Sequence, residues 1–344
     1  MTDTDQAAPS WQTRTAWFRE ARYGLFVHWG LYAIPGRGEW IMYKEKIPAV
    51  EYEKLADEFK PGAFDPDAWV ALAREAGMKY INFTSKHHDG FCTFDSALTD
   101  YTSVKRAAGR DLCAELAEAC GRAEMPLFFY HSLPDWHHPD AADVSDSGRF
   151  DFTMGRTGGE WDRYVEYLHG QVRELCTNYG RVAGLWFDMG VHWTPAHWRA
   201  DELCATIREL QPHALINNRT GRPEDFGTPE EYIPGSAAEG ASTMGVAGES
   251  GPDAETPAGR EGFFEVCLTT TKGAKAGNWG YNPEPAEIMS ADEIVANVRR
   301  INGLGGNLLL NVGPDPDGRI PEAVAASLRE AGAQLRTESA DAGA

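Results

Sequence analysis

Seven stretches of this chain read as strands buried on both faces, and five of them deliver polar side chains just where the apolar run stops. The clearest is Ala183-Gly184-Leu185-Trp186-Phe187-Asp188-Met189-Gly190, where Leu185, Trp186 and Phe187 end on a carboxylate before a glycine turns the chain. Leu25 to Val27 likewise reaches His28-Trp29-Gly30, and Tyr80 to Thr84 runs into Lys86-His87-His88-Asp89. Leu127 to Phe129 meets Tyr130-His131, and Ala214 to Ile216 meets Asn217-Asn218-Arg219. Phe263 to Leu268 and Asn307 to Val312 complete the set.

Helical periodicity fills the intervals. Pro66 follows a capping Asp65 and leads to a stop at Gly77, and further helices are expected over about Asp111–Ala123, Trp161–Tyr179 and Ala196–Leu210. Ser290-Ala291-Asp292-Glu293 is a capping box, and Pro321 opens a last helix. Unbroken apolar strands separated by crossover-length helices imply a parallel sheet covered by helices. No glycine-rich phosphate loop follows the first strand, so a (β/α)8-type barrel with one weak or irregular unit is expected rather than an open doubly wound sheet. It would fill residues 11–337 as a single catalytic domain, between a disordered acidic tail at 1–10 and a frayed tail at 338–344. Thr220 to Glu261 shows no period and reads as a long loop.

Charge narrows the partners. Asp plus Glu exceed Lys plus Arg by 52 to 32, and the net charge of -20 argues against nucleic acid or an anionic membrane surface and leaves a neutral substrate. Met1 to Ser10 has no basic and apolar signal pattern, so a cytoplasmic location is expected. Six scattered cysteines without a CxxC read as buried thiols of a reducing compartment.

On a barrel, His28, His87, His88, Tyr130, His131, Asp188, Arg219 and Glu265 would share the C-terminal face, where barrel enzymes place their chemistry. Hydrogen-bonding groups, rings from Trp29, Trp40 and Trp186, and carboxylates suit a polyhydroxylated ring. Glycoside hydrolysis needs two carboxyl groups flanking the bond. Asp188, fixed by a strand end, is the better nucleophile, while Glu230, Glu231, Glu239 and Glu265 compete as the acid. Arg219 beside carboxylates would favour their ionised form. Adjacent His87 and His88 cannot readily face one ion, so neither a metal nor any other cofactor is expected.

The segments Phe26-Val27-His28-Trp29-Gly30, Gly38-Glu39-Trp40, Lys86-His87-His88-Asp89-Gly90-Phe91, Leu185-Trp186-Phe187-Asp188, Asn217-Asn218-Arg219, Thr228-Pro229-Glu230, Trp279-Gly280-Tyr281 and Gly305 to Pro314 resemble the α-L-fucosidases of glycoside hydrolase family 29. They occur in the family's order across about residues 11 to 335. The resemblance implies a retaining hydrolase of terminal α-L-fucose on glycans or glycosides. Asp188 matches the nucleophile, and Glu230 falls where one branch of the family has its acid/base. It also implies that His28, Glu39, Trp40, His87, His88, Tyr130, Trp186 and Arg219 line the sugar pocket. Glu265, from its own position, reads as a pocket-orienting group or a rival acid. Three departures stand out. The family's usual C-terminal β-sandwich has no room here, Phe264 stands where Trp is common, and Met189 stands where Gly is common. The exposed barrel end leaves room for a homo-oligomer, and Gly235 to Gly262 reads as a mobile lid carrying Glu230. A related α-L-galactosidase or a silent fucose-binding protein are the alternatives.

Overall fold

The computed structural model describes residues 9–142, 154, 158–190, 194–245, 262–272, 279–284 and 287–341. Its strands are β1 (Tyr23–Val27), β2 (Ile81–Lys86), β3 (Leu127–Ser132), β4 (Gly184–Asp188), β5 (Leu215–Ile216), β6 (Glu265–Thr269), β7 (Thr271–Lys272), β8 (Glu287–Ile288) and β9 (Asn307–Val312). Seven of them form one parallel sheet in the order β5-β4-β3-β2-β1-β9-β6, and β7 and β8 make a small antiparallel pair beside it. The sheet curls as a (β/α)8 barrel does. The gap between β5 and β6 is spanned by residues 225–231, inside the stretch that shows no sequence period. There Asn218 N donates to Phe226 O at 3.0 Å, Gly227 N to Phe263 O at 3.0 Å, and Cys267 N to Pro229 O at 2.9 Å. Isolated parallel bridges join Asn217 to Phe226, Gly227 to Phe264 and Glu230 to Cys267. This is the irregular unit, and its end carries Glu230.

The expected helices form at Pro66–Glu75, Leu112–Arg122, Trp161–Asn178, Ala200–Leu210 and Ala291–Gly303. Asp65 caps the first by accepting from Ala68 N at 3.0 Å, and Ser290 and Glu293 complete the capping box of the last. Between them and the barrel lies a large apolar shell that includes Trp29, Phe59, Phe64 and Trp69. A second cluster fills the barrel itself, with Phe18, Phe26, Tyr80, Phe128, Tyr130, Trp186 and Phe226 among its members.

Phe18 belongs to a helix, Trp11–Ala21, that the strand pattern does not announce. Ser10, inside the stretch read as a tail, caps it by accepting from Thr13 N at 3.2 Å. Phe18 is fully buried against Tyr80, Phe128, Phe226 and Phe263, and the helix plugs the N-terminal end of the barrel. At the other terminus the last helix, Glu322–Asp341, continues past residue 338, where Arg299 Nε donates to Glu338 at 3.1 Å. Among the described residues all six cysteines are free and buried, and no helix is long and apolar enough to cross a membrane.

Candidate active site

Strand pleat decides which residues face the barrel interior, because alternate side chains point inward. At the C-terminal mouth, Phe26, His28, Trp40, His87, His88, Tyr130, Trp186, Asp188, Met189, Glu230, Cys267 and Trp279 line one pocket. Asp188 ends β4 with its side chain 13% exposed. Its Oδ2 accepts from the Tyr130 hydroxyl at 2.7 Å, and Oδ1 accepts from Arg219 Nη1 at 2.5 Å and from Met189 N at 2.7 Å. Burial, then the Asp188 charge, raises the Tyr130 phenol well above its ordinary value, so it stays protonated and donates. Met189 takes a φ of 67°, a conformation glycine adopts without cost. That explains physically why a glycine suits the position after the nucleophile candidate.

Arg219 organises the carboxylates. Its Nη2 donates to Glu230 Oε2 at 2.7 Å while Nη1 holds Asp188, and Nε donates to Thr228 Oγ1 at 2.9 Å. The guanidinium lies 4.7 Å from the Trp186 ring centroid. One guanidinium and two hydrogen bonds cap the separation of the paired oxygens at roughly 7–8 Å, a ceiling that covers the retaining spacing and the short end of the inverting one. The other candidate acids sit elsewhere. Glu231 accepts from Thr269 N at 3.1 Å, and Glu239 accepts from Gly235 N at 2.8 Å.

Burial holds two of the imidazoles neutral. Burial lowers His28 to about 4 and His87 well below the ordinary histidine value. His88 Nδ1 lies 2.6 Å from Ser132 Oγ, and its Nε2 is 3.7 Å from Asp188 Oδ2. Trp40 meets His88 edge-on at 5.4 Å, and Trp186 stacks on Tyr130 at 5.6 Å. Glu39 lies behind the wall and is fully buried. Its Oε2 accepts from Trp279 N at 2.8 Å and Gly280 N at 3.1 Å, so that oxygen anchors a loop rather than taking a sugar hydroxyl.

Three sequence expectations are corrected. Glu265 begins β6 instead of sitting at the C-terminal face, and it pairs in register with Asn307. It therefore lies one layer below the mouth, where it accepts from Trp186 Nε1 at 2.9 Å and from the Tyr80 hydroxyl. Burial raises its carboxyl to about 7. His131 points out of the barrel, with Nδ1 3.0 Å from Ser85 Oγ and the ring against Phe94. Trp29 also points outward, packing on Phe59 and Trp69. Of the expected lid, residues 246–261 lie outside the described residues. Its described start pairs with the Glu230 segment, Thr228 N donating to Thr243 O and Glu230 N to Gly245 O, both at 2.8 Å.

Trp279, Phe26, Met189 and Cys267 join the pocket without having been singled out by the strand-end pattern. Phe26 was within reach of it, being two residues before His28 on one face of β1. Among the described residues, no group of three His, Cys, Asp or Glu side chains could hold a metal ion.

The model of the family described as alpha-L-fucosidase matches residues 2–340. Alpha-L-fucosidase isoenzyme 1 from Paenibacillus thiaminolyticus is 39% identical and superposes with a TM-score of 0.82, over 95% of this chain and 76% of that one. Unliganded alpha-L-fucosidase AlfC from Lactobacillus casei is 31% identical with a TM-score of 0.78, over 95% of this chain and 99% of that one. Tissue alpha-L-fucosidase of Rattus norvegicus is 27% identical across 88% of this chain, which spans 64% of that enzyme's length. With the family model matched from end to end of the barrel, the chain belongs to the α-L-fucosidase family.

Proposed function

We propose that this chain is a retaining exo-glycosidase that hydrolyses terminal α-L-fucose from glycosides, with Asp188 as nucleophile and Glu230 as acid/base. The observation that carries it is the single guanidinium of Arg219 holding both carboxylates at a pocket walled by imidazoles and aromatic rings. Support also comes from the solved complex of the similar AlfC enzyme with α-L-fucose product.

In the first step an Asp188 oxygen bonds to the anomeric carbon as the glycosidic bond breaks, and Glu230 gives its proton to the departing oxygen. Two carboxylates around one guanidinium leave one net negative charge, so a proton on Glu230 neutralises the group as a whole. Asp188 loses its charge on forming the ester. In the second step Glu230 takes a proton from water, the hydroxide oxygen bonds to the anomeric carbon, and the carboxylate of Asp188 leaves. The Tyr130 hydroxyl and Arg219 donate to the oxygens on which charge disappears and returns.

The test is release of nitrophenol from an aryl α-L-fucoside by wild type and by Asp188→Ala, with and without azide. Turnover by wild type, its loss in the variant and recovery with formation of a glycosyl azide are expected. An aryl α-L-galactoside turned over faster than the fucoside would refute the sugar assignment.

A further inference from the structure

The motif Gly305 to Pro314 reads from sequence as a structural strand, yet one of its side chains holds two residues that line the pocket, His28 and Trp279. Asn311, fully buried on β9, has its Oδ1 2.7 Å from His28 Nδ1. Its Nδ2 donates to the Trp279 carbonyl at 2.7 Å and to Thr269 Oγ1 at 3.3 Å. A carbonyl can only accept, so the Trp279 contact fixes which end of the amide is nitrogen. The oxygen must then face His28, and Nδ1 of the neutral ring must carry the proton. The opposite nitrogen, Nε2, has no hydrogen-bond partner among the described residues, and the ring lines the pocket.

The same amide works on the pocket wall. Trp279 is held on both sides of its peptide, its carbonyl by Asn311 and its N–H by Glu39. Its ring lies 5.3 Å from that of His28. Gly313, two residues beyond Asn311, lets this loop lie directly on the strand end, because a Cβ there would collide with the Gly280 carbonyl carbon.

We propose that Asn311 is a positioning residue that locks His28 as the Nδ1–H tautomer, presents Nε2 as an acceptor for a substrate hydroxyl, and clamps Trp279 beside it, which takes the pocket to be the fucose site. The titratable groups facing the ring are Asp188 from β4, Tyr130 from β3 and His87 from the end of β2. Among the described residues none of them hydrogen-bonds to Nδ1, so the tautomer choice falls to Asn311.

Long-range proton–nitrogen NMR on histidine-labelled wild type, with the His28 signals identified by their loss in His28→Gln, reads the tautomer without turnover. A protonated Nδ1 and a bare Nε2 at neutral pH are expected, and an Nε2–H or averaged ring overturns the proposal. Asn311→Leu should shift the ring away from the Nδ1–H form and raise KM for the aryl fucoside roughly tenfold, the worth of one lost hydrogen bond. In Asn311→Asp the carboxylate should drive the ring to the doubly protonated form. Folded variants with an unchanged His28 signal and unchanged KM refute it. A wild type that fails to cleave the fucoside yet shows the Nδ1–H ring would sink the fucosidase assignment while leaving the tautomer lock standing.

Discussion

At the level of single residues, Arg219 makes the sharpest prediction. Its fork grips two carboxylates at once, and a lysine ammonium cannot reproduce that planar pair of contacts. Arg219→Lys should lower kcat by roughly 10²-fold, the typical cost of one preorganised charged donor. A loss confined to KM would mean that the guanidinium only binds substrate. Glu230→Gln should lower kcat/KM, which reports the bond-breaking first step alone, by roughly 10²–10⁴-fold for a sugar leaving group. The loss should be much smaller for a nitrophenyl fucoside, which departs without a proton. Equal losses on the two substrates would move the acid/base role to another group. Most of these residues were legible because a strand end is a sequence-visible place. Glu265 was misplaced for the same reason: a strand buried on both faces has no alternation to mark where it starts, and an offset of a few residues moved a carboxylate from the mouth to the layer beneath. Asn311 gave no signal at all, since its role depends on which carbonyl its amide meets.

At the level of elements, the regular βα units were readable and the two irregular ones were not. Residues 225–231 complete the barrel through a few backbone bridges with little apolar period, so pattern offers nothing to detect. The helix Trp11–Ala21 is only weakly amphipathic because both Trp17 and Phe18 serve the same end of the barrel. Its contribution is testable. Phe18→Ala removes a fully buried ring touching five others, and unfolding in denaturant should show a loss of about 3–5 kcal/mol. Because the plug lies at the far end of the barrel from Asp188, KM for the fucoside should be unchanged below the new midpoint. A changed KM with normal stability would show that the plug is coupled to the mouth.

For the molecule as a whole, buried titratable groups set two opposing pH dependences. Glu265 and Asp89 are each raised by burial to about 7, so between the unfolded carboxyl value near 4 and that point the folded state keeps protons the unfolded chain has released. Their contribution is fully present below about pH 4 and is lost as pH rises through about 7. His28, lowered to about 4, acts in the other sense. The unfolded chain binds a proton first, so the stability present above about pH 6.5 is lost as pH falls toward 4. Glu265→Gln isolates the first effect, because the net charge of -20 and all other groups are nearly common to both proteins. The amide keeps an oxygen for the Trp186 indole, and the Tyr80 hydroxyl can turn to accept. Measured against wild type by denaturant unfolding, Glu265→Gln should gain relative stability from pH 5 to about 7 and level off above it. A difference that stays constant across that range would mean that Glu265 is ionised throughout, and that the barrel carries a buried negative charge directly beneath its own nucleophile.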